Sequence, residues 1–262
     1  MRTSSVRRTV LAASAAALAL LVTACGGSGD DQDKAGEGKG KAAPTASSAA
    51  PAKALTAAEL EKAALAQADV KSGKVATKLP ATDDIAVDKV ETKDAACLPL
   101  AHAQAGVAQG EPAASVKRSW TGDPVKPSAD TKPEDALLAA LDTEKMLINL
   151  ASYDGDGAEQ AVTGLVTAAE KCAGGFEATV VGEPLDVAKV ATGDAPEGGD
   201  EGAAVTLTVT AEEGVQAPAK IVVVRKGSTV VTFSAVNLAS MATGKDFEVP
   251  ADVVAAQAGK LG

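Results

Sequence analysis

Apolar and polar positions fall into two regimes that meet near Leu55. From there to Gly262, helical and extended spacings alternate, and most of the extended ones come late. Leu60, Ala64 and Ala68 share one helical stripe with Ala57. Thr56-Ala57-Ala58-Glu59 just ahead has the form of a capping box, in which the Thr56 hydroxyl accepts from the Glu59 N–H and the Glu59 carboxylate from the Thr56 N–H. Leu55 and Leu60 take the two hydrophobic-staple positions. The pattern predicts a helix from here to about Val70, closed by Ser72-Gly73.

Further on, Ile85 to Val90 predicts a short strand. Asp94 to Gln104 is Ala-rich and predicts a helix, in which Pro99 is tolerated only near the first turn. Ser115 to Trp120 alternates with period two. Asp123 to Pro133 holds three prolines and predicts a loop, and Ala136 to Leu141 a single helical turn. Lys145 to Tyr153 predicts a strand. The turn Asp154-Gly155-Asp156-Gly157 feeds a helix that runs to about Cys172 and ends at Gly174-Gly175. Phe176 to Val181, Val187 to Ala191 and Ala203 to Thr210 predict strands. The strongest hairpin joins Ile221–Arg225 to Thr229–Val236, with Lys226-Gly227 at its turn. Ile221 to Val224 is apolar on both faces, as in a central strand covered on both sides. Pro250 at the first helical position opens a terminal helix along Val253, Val254 and Gln257. Sequential strands on short turns, with helices at the start, middle and end, predict an α+β class: a mostly antiparallel sheet flanked by helices, in a single domain at 55–262.

Ahead of Leu55 the pattern is different. Gly26 to Ala54 contains no Val, Ile, Leu or aromatic residue. Such a segment buries too little apolar surface to offset its ordering entropy and predicts a flexible linker, spanning about 30 Å root-mean-square as a coil. Before it, Arg2, Arg7 and Arg8 precede an apolar run of 12 residues, Leu11 to Val22. That run suits a signal peptide and is short of the ~20 residues of a spanning helix. It ends in Leu21-Val22-Thr23-Ala24-Cys25, which looks like a bacterial lipobox, with an aliphatic residue at −3, small residues at −2 and −1, and Cys after the cut. The motif implies a signal peptide at 1–24, a diacylglyceryl group on the Cys25 sulfur, and a lipidated linker at 25–54. Two acyl chains suffice for stable anchoring. The alternative is a plain secretory signal in which Cys25 is incidental.

Charge narrows the partners. The chain has 25 basic and 35 acidic side chains. Losing the three arginines of the signal peptide leaves a net charge of about −13. Nucleic-acid binding rests on clustered Lys and Arg and is excluded. Anionic headgroups repel such a chain, so the acyl anchor has to hold it at the membrane. With one His and three Cys, there is almost no material for a zinc site or a His-based triad. Cys97 and Cys172 remain as an even pair, which in an exported protein predicts a disulfide, with two free thiols the alternative. Closing a loop that long stabilises a fold by roughly 4–5 kcal/mol on the chain-entropy model.

The succession LTAAEL at 55–60, Cys97, VKRSW at 116–120, ASYDGDGAEQA at 151–161, CAGGF at 172–176, VVVRKGSTVVTFSAVN at 222–237 and VPADVVAAQAGKL at 249–261 resembles a family of actinobacterial lipoproteins. These are similar to the extracellular sensor domain of mycobacterial PknH-type Ser/Thr kinases. The resemblance covers roughly 55–262, and an Ala-rich, Phe-poor composition suits high-GC coding. It implies an antiparallel sheet with helices on its flanks and a cleft for a signal molecule. The kinase sensor has two disulfides, whereas Cys97 and Cys172 allow one here.

Four residues qualify as ligand-binding candidates. Val116, Arg118 and Trp120 share one strand face, which places the Arg118 guanidinium on a covered surface where it needs acceptors or stacks on Trp120. Arg225 repeats the pattern with Ile221 and Val223 beside the hairpin turn. Tyr153 precedes a Gly-rich turn and is placed to line a pocket. Asp154 and Asp156 mimic the start of a calcium loop, but Ala158, Glu159 and Leu165 stand where its later ligands and its glycine belong. They predict helix-capping acids instead. His102 predicts a surface or boundary residue. No cofactor, metal site or catalytic set is expected. The sequence thus favours a non-enzymatic ligand-binding or sensor-like lipoprotein at the extracytoplasmic membrane face, with a small-molecule or envelope-protein partner. The alternative is a structural lipoprotein that docks on an envelope protein through an exposed apolar patch. An enzyme such as a wall hydrolase is the remaining, least supported class.

Overall fold

A computed structural model describes residues 53–128, 130–211 and 214–261. The segments expected as signal peptide and linker, with Cys25, lie outside them but for Lys53 and Ala54. Nine strands form one antiparallel sheet: β1 (Lys74–Ala76), β2 (Val90–Thr92), β3 (Ala114–Thr121), β4 (Glu144–Ser152), β5 (Phe176–Val180), β6 (Glu183–Gly193), β7 (Glu201–Thr210), β8 (Gln216–Lys226) and β9 (Thr229–Asn237), in the order β1-β3-β4-β9-β8-β7-β6-β5-β2. The helices are α1 (Ala57–Ala63), α2 (Leu98–Gln104), α3 (Pro133–Leu141), α4 (Gly157–Lys171), α5 (Leu238–Thr243) and α6 (Ala251–Ala258). The class is α+β. Both edge strands are three residues long, which leaves little unpaired ladder for another chain to extend.

The sheet is covered on both faces. On one, α2 and α4 pack Leu100, Val162 and Leu165 against Leu207, Ile221 and Val223. On the other, α1 and α6 pack Leu60 and Val253 against Trp120, Ile148, Val231 and Phe233. β8 contributes to both cores, Ile221 and Val223 to the first and Val224 to the second, as its two-sided apolar run predicts. Its hairpin with β9 turns through Gly227-Ser228, one residue later than expected, and Gly227 takes a φ of +57°. Cys97, where a short 3-10 turn runs into α2, and Cys172, which caps α4, are disulfide-bonded and buried, so the bridge fastens the two helices of one layer together. His102, expected at the surface or the boundary, is 9% exposed on a covered face of α2.

Several elements depart from the sequence expectation, among them α3, which runs nine residues from Pro133 rather than one turn from Ala136. The capping box of Thr56 and Glu59 forms, but α1 stops at Ala63 rather than near Val70. The reason is distant in sequence: the fully buried Gln257 accepts from the Leu65 N–H at 2.7 Å and donates to the Ala63 carbonyl at 2.9 Å. Its carboxamide occupies backbone groups that a longer helix would have paired. Ile85 to Val90 is no strand. A 3-10 turn occupies Val87–Lys89, and pairing begins only at Val90, against β5. Asp156 holds the N-cap position of α4 without capping it, because its carboxylate accepts from Gln160 Nε2 at 2.8 Å. Pro250 is the N-cap of α6 rather than its first residue. β1 and α5 went unpredicted, the first for its brevity, the second because its sequence LASMAT lacks an apolar stripe.

The point where the chain joins the domain is pinned. Lys53 O accepts from Ser228 Oγ at 3.0 Å, the Ala54 N–H donates to Asp154 at 3.2 Å, and the Leu55 N–H donates to Ser152 Oγ at 2.9 Å. Ser152 is wholly buried at the end of β4, where its hydroxyl also meets Thr229 Oγ1 at 3.1 Å.

Candidate functional site

The four candidates do not converge. Arg118 and Trp120 face the α1 layer. Arg118 is buried, and its donors are taken: Nη2 by Glu61 at 2.5 Å, Nη1 by the Lys117 carbonyl at 2.9 Å and Nε by the Leu65 carbonyl at 3.3 Å. A hollow of about 520 Å³ lies beside it, lined also by Lys78 and by Lys117, which is bound to Asp84 and the Ile85 carbonyl. Trp120 donates its indole N–H to the Ser72 carbonyl at 3.0 Å and packs on Gly73 so closely that a Cβ there would lie 2.5 Å from the ring. Arg225 ties the hairpin end to the start of β7, with Nε 2.9 Å from Glu201 and Nη1 3.5 Å from Asp200. In all three, the polar groups serve contacts within the fold.

Tyr153 is placed differently. It lies just past β4 on the α2 and α4 side, buried, with its hydroxyl donating to the Gln109 carbonyl at 2.7 Å. Burial pushes the phenol up to about 12, so at ordinary pH it is a neutral donor. Its ring is one wall of a cavity of about 430 Å³ that also touches Pro99, Gln109, Glu111, Gln160 and Gly164. A second hollow, of about 530 Å³, shares Pro99, Gln160 and Gly164 with the first and runs on along α4 past Glu159 and Thr167. Together they make a groove between α4 and the segments on either side of α2.

The groove exists because α4 is small along this face. Gly157 and Gly164 are seven residues apart, two turns of helix, and so fall on one side. At Gly157 a Cβ would come within 2.9 Å of Tyr153, whereas at Gly164 it would meet nothing within 4 Å. The groove floor is therefore Tyr153 under Gly157, and Gly164 leaves the space above it open. Gln109 supplies the chemistry. It is 6% exposed, and its Nε2 has no hydrogen-bond partner among the described residues. Of the residues lining this groove, the sequence points to Tyr153 and not to Gln109, Glu111, Gln160 or Gly164. The seven-residue glycine spacing on α4 was the one available signal. Among the described residues no group of three or more His, Cys, Asp and Glu side chains is placed to hold a metal ion, and no helix is long and apolar enough to cross a membrane.

No protein-family model and no curated protein matches the chain. Among solved structures it is similar to the crystal structure of the extracellular domain of PknH from Mycobacterium tuberculosis, at 13% identity and a TM-score of 0.47, over 79% of this chain and 95% of that one. This is the kind of domain that the motif succession resembles. The fold class follows from the strand order alone.

Proposed function

We propose that the chain is a non-enzymatic, extracytoplasmic binding domain, lipid-anchored through Cys25, whose ligand site is the groove beside Tyr153. The observation that carries the reading is the unpartnered, nine-tenths buried amide of Gln109 at the wall of that groove. A buried donor without an acceptor costs about 1–3 kcal/mol, and a ligand that supplies the acceptor recovers it. The lipobox ending at Cys25 supports the anchor, and the Cys97–Cys172 bridge supports an oxidising compartment, where such bonds persist. A sensor-like role is the finer form of the same reading, with ligand occupancy as the signal. The test is native mass spectrometry of the whole protein taken from its own envelope, before and after organic extraction. A stoichiometric mass lost on extraction supports a binding domain. A protein without bound mass that also fails to take up envelope extract refutes it.

A second reading has its own observation. α3 exposes Leu137 and Leu138, at 63% and 38%, and α5, which it touches, exposes Leu238 at 46%. An apolar surface of this kind favours docking on an envelope protein. Crosslinking through a cysteine placed at Leu137 separates the two readings.

A further inference from the structure

The class of ligand can be argued further, on the reading that the groove is a binding site. Gln109 Nε2 is a donor, so the ligand must bring an acceptor. Gln109 lines the cavity, and a half-turn of its terminal torsion exchanges the positions of the amide nitrogen and oxygen. Charge then decides what carries that acceptor. Glu111 lines the first hollow, Asp156 and Glu159 line the second, and Lys171 is the one cation along both. An anionic ligand meets three carboxylates, of which Glu159 already has Arg225 3.9 Å away, against one lining ammonium. A cation suits the acids and leaves the Gln109 donor unanswered.

A hydroxyl group answers both. It accepts from Gln109 while donating to the Glu111 carboxylate or the Gln160 amide oxygen. Several hydroxyls on a compact apolar ring also suit the rest of the lining, where Tyr153, Pro99 and Gly164 offer flat or small carbon surfaces between the polar groups. At about 430 Å³, the first hollow is the size of an ordinary small-molecule site. We infer that the groove takes a neutral, hydroxyl-rich ligand, a saccharide, held by Gln109, Glu111 and Gln160 over Tyr153.

The experiment is titration calorimetry on the whole lipidated protein in detergent. Its four probes are maltotriose and triacetylchitotriose as neutral saccharides, spermidine as a cation and inorganic phosphate as an anion. Two variants locate any binding. Gly164→Trp fills the groove from a position where an added Cβ meets nothing within 4 Å. Gln109→Leu removes the unpartnered amide and keeps the backbone carbonyl that Tyr153 uses, so it leaves stability unchanged or raises it. At least one trisaccharide binds, and each variant weakens it tenfold or more with no fall in melting temperature. Trisaccharide binding that neither variant weakens overturns the location. Binding of spermidine or phosphate alone, abolished by Gly164→Trp, overturns the saccharide and leaves the groove standing as a site. No binding by any of the four also overturns the saccharide, and the extraction experiment then judges the groove separately.

Discussion

Replacing Gln257 by Met keeps the volume of the side chain and removes both ends of its carboxamide. Two hydrogen bonds disappear, at 2.7 Å to the Leu65 N–H and at 2.9 Å to the Ala63 carbonyl. Leu65 and Gln257 are both fully buried, so water cannot replace the bond to the Leu65 N–H. Orphaning that donor costs about 1–3 kcal/mol, and losing the second bond about 1 kcal/mol more. The expected loss is about 2–4 kcal/mol, a fall in melting temperature of roughly 5–15 °C for a domain of this size. Urea unfolding followed by circular dichroism measures it, with an unchanged slope and a lower midpoint. Asp252→Asn, on the exposed side of the same helix, is the control and should stay within about 0.5 kcal/mol of the parent. A loss below about 1 kcal/mol for Gln257→Met, especially with added helical signal, would refute the reasoning. It would mean that α1 can run on toward Val70 and pair its own backbone groups, so that the amide does not set its end.

Other expectations concern the bridge, the histidine and the anchor. Cys97→Ala with Cys172→Ala should cost about 4–5 kcal/mol on the loop-entropy argument, and because both sulfurs are buried, dithiothreitol should reduce the bridge only slowly in the folded protein, as alkylation and mass measurement would show. Burial holds the His102 imidazole below its ordinary value of 6.5. The unfolded chain therefore binds the extra proton first, and stability that is complete above pH 6.5 is lost as the pH falls toward the folded value. His102→Gln should flatten the stability–pH curve in that window, and an unchanged curve would exclude His102 as its source. Labelled palmitate should be incorporated by the parent and not by Cys25→Ser, which should leave the membrane fraction. Labelling of the variant would point to another acylation site.

Legibility tracked locality. The β8–β9 hairpin and α4 were visible because each carries its whole signal within a short window: Ile221 to Val236 around a glycine turn, and an apolar stripe from Ala158 to Ala169. The end of α1 was not visible, because it is set by a glutamine 192 positions from the backbone N–H it binds. Ile85 to Val90 has strand-like residues but leaves the ladder to its last member, since β2 pairs with β5 only from Val90 onward. The candidate site divides the same way. Tyr153 stands out as the single tyrosine ahead of a Gly-rich turn. Gln109 and Glu111 carry no local pattern and matter only because the fold sets them beside α4. The two arginines were conspicuous by charge and hydrophobic context, and a sequence does not show which acids will meet them.

The attachment of residues 53–55 bears on how the domain carries load. Their hydrogen bonds go to Ser152 at the end of β4, to Asp154 just beyond it and to Ser228 in the turn leading into β9. These strands stand third and fourth in the sheet, each laddered on both sides. Tension applied through the segment ahead of Lys53 therefore enters the interior of the sheet, at strands whose neighbours share it. Had the same segment been fastened to β1 or β2, a three-residue edge strand could have been unzipped one bond at a time. A domain held in this way can be pulled through the segment ahead of Lys53 without fraying from its borders.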